Sequence, residues 1–364
     1  MKPHLTRRQF GIAGFSSAAA LTLGAPGCVS LQPSHQNPSG TASPNPLDYV
    51  DPELREFASR FLENGPPPSY SKETLNVARS FGEAYAPARL PDVSVSEVLA
   101  PLPGSDPDVR LFVINAHPGT SRPAILHAHG GGYFLGKAAW EVGYLQAMAR
   151  ELDCVIVSVD YRLAPETSYR GSVEDNYAGL LWLNKNADSL GVDRNTIALL
   201  GESAGGGHAA LLAIAARDRG EVPVAFQALI YPMLDDRTGS TRPLPPFIGA
   251  IGWDAASNRF GWEAFLGQPP GGANVPAAGV PARLHNLSGL PPTFIGVGGV
   301  DLFVSEGIEY ARRLTEAGVQ TELLVVPGAF HGFDRIAAST NPAKRFTKAK
   351  MDALRRAFGQ PSDI

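Results

Sequence analysis

The sequence predicts an α/β fold, a mostly parallel central sheet flanked by helices, and three observations carry that prediction. Short apolar runs of strand length recur along the chain, interspersed with apolar residues at helical spacing. One run, residues 197–200, stops at Gly201-Glu202-Ser203-Ala204-Gly205, which reads as a buried strand, a tight turn and the start of a helix. Another, residues 124–129, runs straight into Gly130-Gly131-Gly132-Tyr133. With 364 residues, 44% of them hydrophobic and 18% charged, the chain suffices for one large α/β domain with insertions. A net charge of -4 and the lack of any dense Lys/Arg run give no case for a nucleic-acid partner.

The first residues read as a targeting segment. Lys2, Arg7 and Arg8 precede an uncharged stretch, residues 11–23, built largely of Gly, Ala, Ser, Ile, Phe and Leu. Residues 1–27 resemble a bacterial twin-arginine export signal, too short to span a bilayer as a stable helix. Two outcomes stay open: ordinary cleavage within Ala25-Pro26-Gly27, or lipidation of Cys28, which would tether the protein to a membrane. Either way the protein is exported, to the periplasm or beyond. Residues 28–47 are Ser/Pro/Asn-rich and read as a flexible tether. The other cysteine, Cys154, heads an apolar run and reads as core.

Residues 48–90 carry two helical stripes, Leu54, Phe57, Ala58, Phe61 and Leu62 over 51–63, then Leu75, Ala78, Phe81, Gly82 and Tyr85 over 71–85. Neither stripe is satisfied alone, so each packs on the core sheet or covers a site. From residue 91 to 364 the chain reads as the main domain. Strands over 93–99 and 109–114, joined by a Pro/Gly/Asp loop, form a hairpin. Further strands are expected at 124–129, 155–159, 197–200, 226–231, 293–297 and 322–326. Between the sixth and seventh lies a Pro-, Gly- and aromatic-rich insertion, about residues 237–290, with Phe247, Trp253, Phe260, Trp262 and Phe265 and one helix over 254–266. A closing helix over 342–358 has a basic outer face.

Two of these stretches carry chemistry. Glycines two residues either side of Ser203 let the serine occupy a strained apex, because a Cβ at Gly201 or Gly205 would strike the neighbouring element. Its hydroxyl is then presented at the sheet edge, beside the first amides of the next helix. The three glycines after His129 let main-chain amides approach a ligand directly, as a developing oxyanion requires. No Gly-Lys-Ser/Thr follows, which excludes a phosphate-binding loop. His127 and His129 share one strand face, yet no further ligands accompany them, so no metal or cofactor is expected.

His129-Gly130-Gly131-Gly132, Tyr161-Arg162-Leu163-Ala164-Pro165-Glu166 and Gly201-Glu202-Ser203-Ala204-Gly205 together resemble the hormone-sensitive-lipase-like (bacterial family IV) carboxylesterases of the α/β-hydrolase fold. The resemblance runs from about residue 54 to the carboxyl end. Two positions depart from it: Glu202 stands where that family more often has Asp, and His127 where an aromatic or aliphatic residue is usual.

A serine nucleophile needs a base and a group to orient that base, in this fold in the order Ser, Asp or Glu, His. Three histidines follow Ser203. His208 lies on the serine's own helix, pointing away, and His285 in a polar segment with no strand before it. His331 follows the last strand through a Gly-bracketed loop and matches the family's His-Gly-Phe. Asp301, directly after the strand at 293–297, is favoured as the acid over Glu306, on the following helix, and Asp334, too close to His331 in sequence. The resemblance implies catalytic Ser203, Asp301 and His331, an oxyanion hole of the Gly131, Gly132 and Ala204 amides, and supporting roles for His129, Gly130 and Glu202. Arg162 and Glu166 read as a structural ion pair. The expected activity is hydrolysis of short or medium acyl esters of small molecules through an acyl-enzyme. An amidase or deacylase on the same triad is the alternative, and a non-catalytic ligand-binding relative the remoter one.

Overall fold

The computed structural model describes residues 45–63, 70, 71, 73–80, 86–102 and 106–362. The export segment, most of the tether, Pro66-Pro67-Pro68, and Phe81, Gly82 and Tyr85 of the second helical stripe lie outside the described residues.

Eight strands form one sheet: β1 Val95–Ala100, β2 Val109–Ile114, β3 Arg122–Ala128, β4 Val155–Val159, β5 Val192–Glu202, β6 Phe226–Ile230, β7 Thr293–Gly298 and β8 Thr321–Val326. Their order is β1-β2-β4-β3-β5-β6-β7-β8. The β1/β2 hairpin pairs antiparallel with Val95 opposite Ile114, β2 runs antiparallel to β4, and the other pairs are parallel. Every residue of β4 and β6 is buried, which is why those runs are apolar except for Ser158 and Gln227, whose side chains are hydrogen-bonded to His127 and Thr293; edge strand β8 leaves Glu322 and Leu323 exposed. Alternate residues feed two cores: Leu126, Val157 and Leu199 on one face, Ile125, Ile156, Ala198 and Leu200 on the other.

Helices α3 Ala138–Glu151 and α10 Asn341–Ala357 supply residues to the second core, and α4 Tyr169–Lys185, α6 Ala204–Arg219 and α8 Val304–Glu316 to the first. Short α5 Ala187–Leu190 and α9 Phe333–Ile336 complete these layers. Helix α6 is buried almost all round, which its Gly/Ala/Leu composition predicts.

The first helical stripe begins as a 3-10 turn, Pro52–Leu54, capped by the Asp51 carboxylate on the Glu53 amide, and continues as α1 Arg55–Glu63. Leu54 and Ala58 enter the second core, with Phe61 set edge-on to Phe330. Within the second stripe, α2 is confined to Leu75–Ser80, and Leu75 is its one buried residue. The insertion contains α7 Ala255–Leu266, with Asp254 as its cap rather than its first residue. Strand β5 starts at Val192, earlier than its apolar run, because Asp193, Arg194, Asn195 and Thr196 extend it below the core. In α10, Lys344, Arg345, Lys348 and Arg356 face outward as expected, but Lys350 is only 1% exposed. Cys154 is fully buried. No described helix is long and apolar enough to cross a membrane.

Candidate active site

Strand β5 delivers Ser203 to its upper edge and α6 begins at the next residue. The serine has φ 58° and ψ -121°, a left-handed strain that non-glycine residues rarely accept. Two main-chain bonds hold it there: its amide donates to Ile230 O at 2.9 Å, and the Met233 amide donates to its carbonyl at 3.0 Å. The flanking glycines are sterically required. A Cβ on Gly201 would lie 2.0 Å from Gly205 O, and one on Gly205 2.0 Å from Ala128 O.

The other two predicted partners meet this serine. His331 Nε2 lies 3.0 Å from Ser203 Oγ, and Nδ1 lies 2.8 Å from Asp301 Oδ2. Asp301 is fully buried, and its second oxygen accepts the Phe303 amide at 2.9 Å. The His331 ring is held between the edges of Tyr231 and Phe303, with centroids 4.8 and 5.2 Å away. Tyr231 was not singled out by any sequence signal. Its hydroxyl donates to Asp334 at 3.0 Å, and Asp334 pairs with buried Lys350 at 3.3 Å. The rival acids are therefore engaged elsewhere: Asp334 here, and Glu306 with the Leu234 amide and the Thr238 hydroxyl. Burial pushes the Glu306 carboxyl well above the ordinary range. His208 sits among Tyr133, Tyr161 and Phe265, and burial pushes it down to about 3, a neutral ring in an aromatic box. His285 is exposed.

The glycine loop closes over the serine: a Cβ on Gly130 would come within 3.5 Å of the Ser203 Cβ. Gly131 and Gly132 have φ of 121° and 59°, and a Cβ on Gly132 would strike the Trp253 ring at 2.4 Å. Among the described residues, the amides of Gly131, Gly132 and Ala204 have no protein acceptor. They are free to receive a negative oxygen. His129, stacked on Tyr161 at 4.2 Å, donates from Nδ1 to Gly130 O at 2.8 Å, a bond internal to the glycine loop. Burial lowers its pKa, leaving it neutral.

The two departures from the family pattern are partners. His127 Nε2 lies 2.9 Å from Glu202 Oε2, and its Nδ1 2.9 Å from Ser158 Oγ, linking three adjacent strands under the serine. Burial alone would raise the Glu202 carboxyl, but His127, Lys350 and Arg335 outweigh it and hold it down at about 2. The expected Arg162–Glu166 pair does not form. Arg162 turns to Asp175 on α4, 2.7 Å away and fully buried, while Glu166 pairs with Arg79 of α2 at 2.8 Å. Asp175, 13 residues along the chain and shielded from water, attracts the guanidinium more strongly than the exposed Glu166 carboxylate does. No group of three His, Cys, Asp or Glu suited to a metal ion occurs among the described residues.

The family profile described as the α/β hydrolase fold matches residues 125–335. The chain belongs to the α/β-hydrolase family. The resemblance to hormone-sensitive-lipase-like carboxylesterases agrees with that membership. Among relatives of this hydrolase, esterase LipI of Mycobacterium tuberculosis is 36% identical over 237 residues, 64% of this chain and 72% of that protein. Carboxylesterase NlhH of the same species is 37% identical over 243 residues, 65% and 74% of the two chains. Among solved structures, a bacterial heroin esterase superposes with a TM-score of 0.76 at 35% identity, covering 86% of this chain and 99% of that one.

Proposed function

We propose that this α/β hydrolase is a serine carboxylesterase of small-molecule esters. The observation that carries the reading is the continuous hydrogen-bonded series Ser203–His331–Asp301, beside three amides without acceptors. The names borne by its relatives support the same chemistry.

Ser203 Oγ attacks the ester carbonyl carbon as its proton passes to His331 Nε2. The carbonyl oxygen becomes an oxyanion and receives the Gly131, Gly132 and Ala204 amides. Collapse expels the alkoxide, which takes the proton from Nε2, leaving acyl-Ser203. Water then gives a proton to the same nitrogen, attacks the acyl carbon, and the acid departs as Ser203 regains its proton. Asp301 Oδ2 accepts the Nδ1–H hydrogen bond and so fixes the ring's tautomer and orientation. The insertion and the described amino-terminal residues act as the cover over this centre, with Trp253 against Gly132 and Tyr70 beside Trp253, and the expected preference is for short or medium acyl chains.

The test is turnover of p-nitrophenyl esters from acetyl to palmitoyl, and of a matched anilide, beside Ser203→Ala. Hydrolysis that falls with chain length and drops by about three orders of magnitude or more in the variant is expected. Ester turnover unaffected by the substitution sinks the reading, and preference for the anilide moves it to an amidase.

We also infer export through residues 1–27, supported by the paired Arg7 and Arg8. Cell fractionation of the Arg7→Lys/Arg8→Lys chain is expected to show cytoplasmic retention. Membrane partitioning of Cys28→Ala, unchanged or lost, decides between cleavage and lipidation.

A further inference from the structure

Arg79 of α2 makes four hydrogen bonds to parts of the chain remote in sequence. Its Nη1 and Nη2 fork onto Glu166 at 2.8 and 2.9 Å, Nη2 also donates to Ala164 O at 2.8 Å, and Nε donates to Phe134 O at 2.9 Å. The Phe134 bond leads directly to the site. Phe134 O and the Leu135 N–H belong to one rigid trans peptide unit and point in opposite directions. That N–H donates to Gly131 O at 2.8 Å. Gly131 O in turn shares its peptide unit with the Gly132 N–H, one of the amides without an acceptor that the esterase reading assigns to the oxyanion. Two peptide planes therefore connect the guanidinium to an oxyanion donor, each aimed by the hydrogen bond at its far end.

We propose that Arg79 is a positioning residue that orients and polarises the Gly132 amide through the peptide units of Phe134–Leu135 and Gly131–Gly132. The inference rests on the esterase reading above. Orientation follows from the planarity of the two units. Polarisation follows because a cationic donor on a carbonyl strengthens the N–H of the same unit, and the effect passes along a chain of such bonds. Ala164 is drawn into the same arrangement: its amide donates to Tyr133 O at 3.0 Å while its carbonyl accepts from Arg79. The glycine loop and the Ala164-Pro165 loop are thus clipped together by one side chain from the amino-terminal segment.

The test uses the full chain, p-nitrophenyl acetate, and a trifluoromethyl ketone whose serine adduct carries an oxyanion. Losing a whole oxyanion donor costs about 100- to 1000-fold in kcat, so misaligning and depolarising one is expected to cost roughly tenfold. Arg79→Ala should lower kcat by about that factor, weaken the ketone's inhibition in parallel, and leave KM nearly unchanged; Arg79→Lys should restore part of both. Glu166→Gln removes the ion pair from a side chain 60% exposed, so it leaves folding intact. It should lower kcat and ketone affinity together by a few-fold, and it decides the matter if Arg79→Ala does not fold. Changes confined to KM or thermal stability, with kcat and ketone affinity as in wild type, overturn the proposal and leave Arg79 as an anchor for α2. Absence of ester turnover in the wild type overturns the esterase reading and takes this inference with it.

Discussion

Two segments come down on the glycine loop, and they are attached in different ways. The insertion is fused to the site through a hydrophobic core: Trp262, Phe265, Leu266, Val275 and Val280 pack in one cluster with Ala204, Leu302, Phe303 and Tyr133. Gly261 backs onto Gly132 O, and Gly252 onto His331 O, at spacings of 2.5 and 2.9 Å from where a Cβ would stand. The amino-terminal segment instead reaches the loop through the Tyr70 ring, against Phe134 and Trp253, and the Arg79 guanidinium. Its α2 buries Leu75 alone and leaves Val77 59% exposed. Dispersion and apolar burial fix the first segment over many atoms, whereas the second is anchored in the core at Leu54 and Ala58 but reaches the glycine loop only through one ring and the directional polar bonds of one guanidinium. The first is a wall of the site, and α2 of the second is a lighter fitting laid over it.

The strongest way to sharpen that contrast is Trp262→Ala. The side chain is fully buried, so its loss should cost about 3–5 kcal/mol of stability, read by denaturant unfolding, with activity falling alongside. A cost under about 1 kcal/mol would mean the insertion is not part of the core. The next effect concerns pH. His208 packs on Phe265 of the insertion, and burial holds its folded-state pKa down at about 3. The unfolded chain therefore takes up a proton below about pH 6.5 that the folded chain refuses. The stability this neutral ring contributes is intact above that pH and is lost on acidification towards pH 3. Unfolding free energy should fall by up to about 1.4 kcal/mol per pH unit across that window, and His208→Phe should remove that slope. The smallest effect is on the amino-terminal side. Tyr70→Ala should change stability by less than about 1 kcal/mol while shifting the ratio of kcat/KM between acetyl and longer acyl esters several-fold. Equal loss on every ester would assign Tyr70 to the wall rather than to the entrance.

The same contrast explains what the sequence discloses. The strained serine, its flanking glycines and the His331 loop are legible because each is demanded by local sterics within a few residues. Strands β2 and β4 are legible to the residue, since apart from exposed Arg110 and hydrogen-bonded Ser158 every position in them is a buried apolar side chain. Pairings across long separations are not. Glu166 looks like the partner of Arg162, four residues away, yet its partner is Arg79, 87 residues distant. His127 and Glu202 each look like isolated departures from a pattern, and only the parallel register of β3 and β5 shows that one answers the other. Tyr231 carries no mark in the chain either, because what makes it matter is the ring of His331 beside it.

Cys154 has a practical consequence. Its thiol lies at the foot of β4, out of contact with water, and burial pushes its pKa up to about 12. A thiol that neither ionises nor meets solvent reacts with neither oxidants nor alkylating reagents while the sheet is closed. In a Cys28→Ala chain it is the single cysteine, so any adduct formed on it records an opening of the central sheet. The protein thus carries its own chemical clock, silent in the native state and started by unfolding.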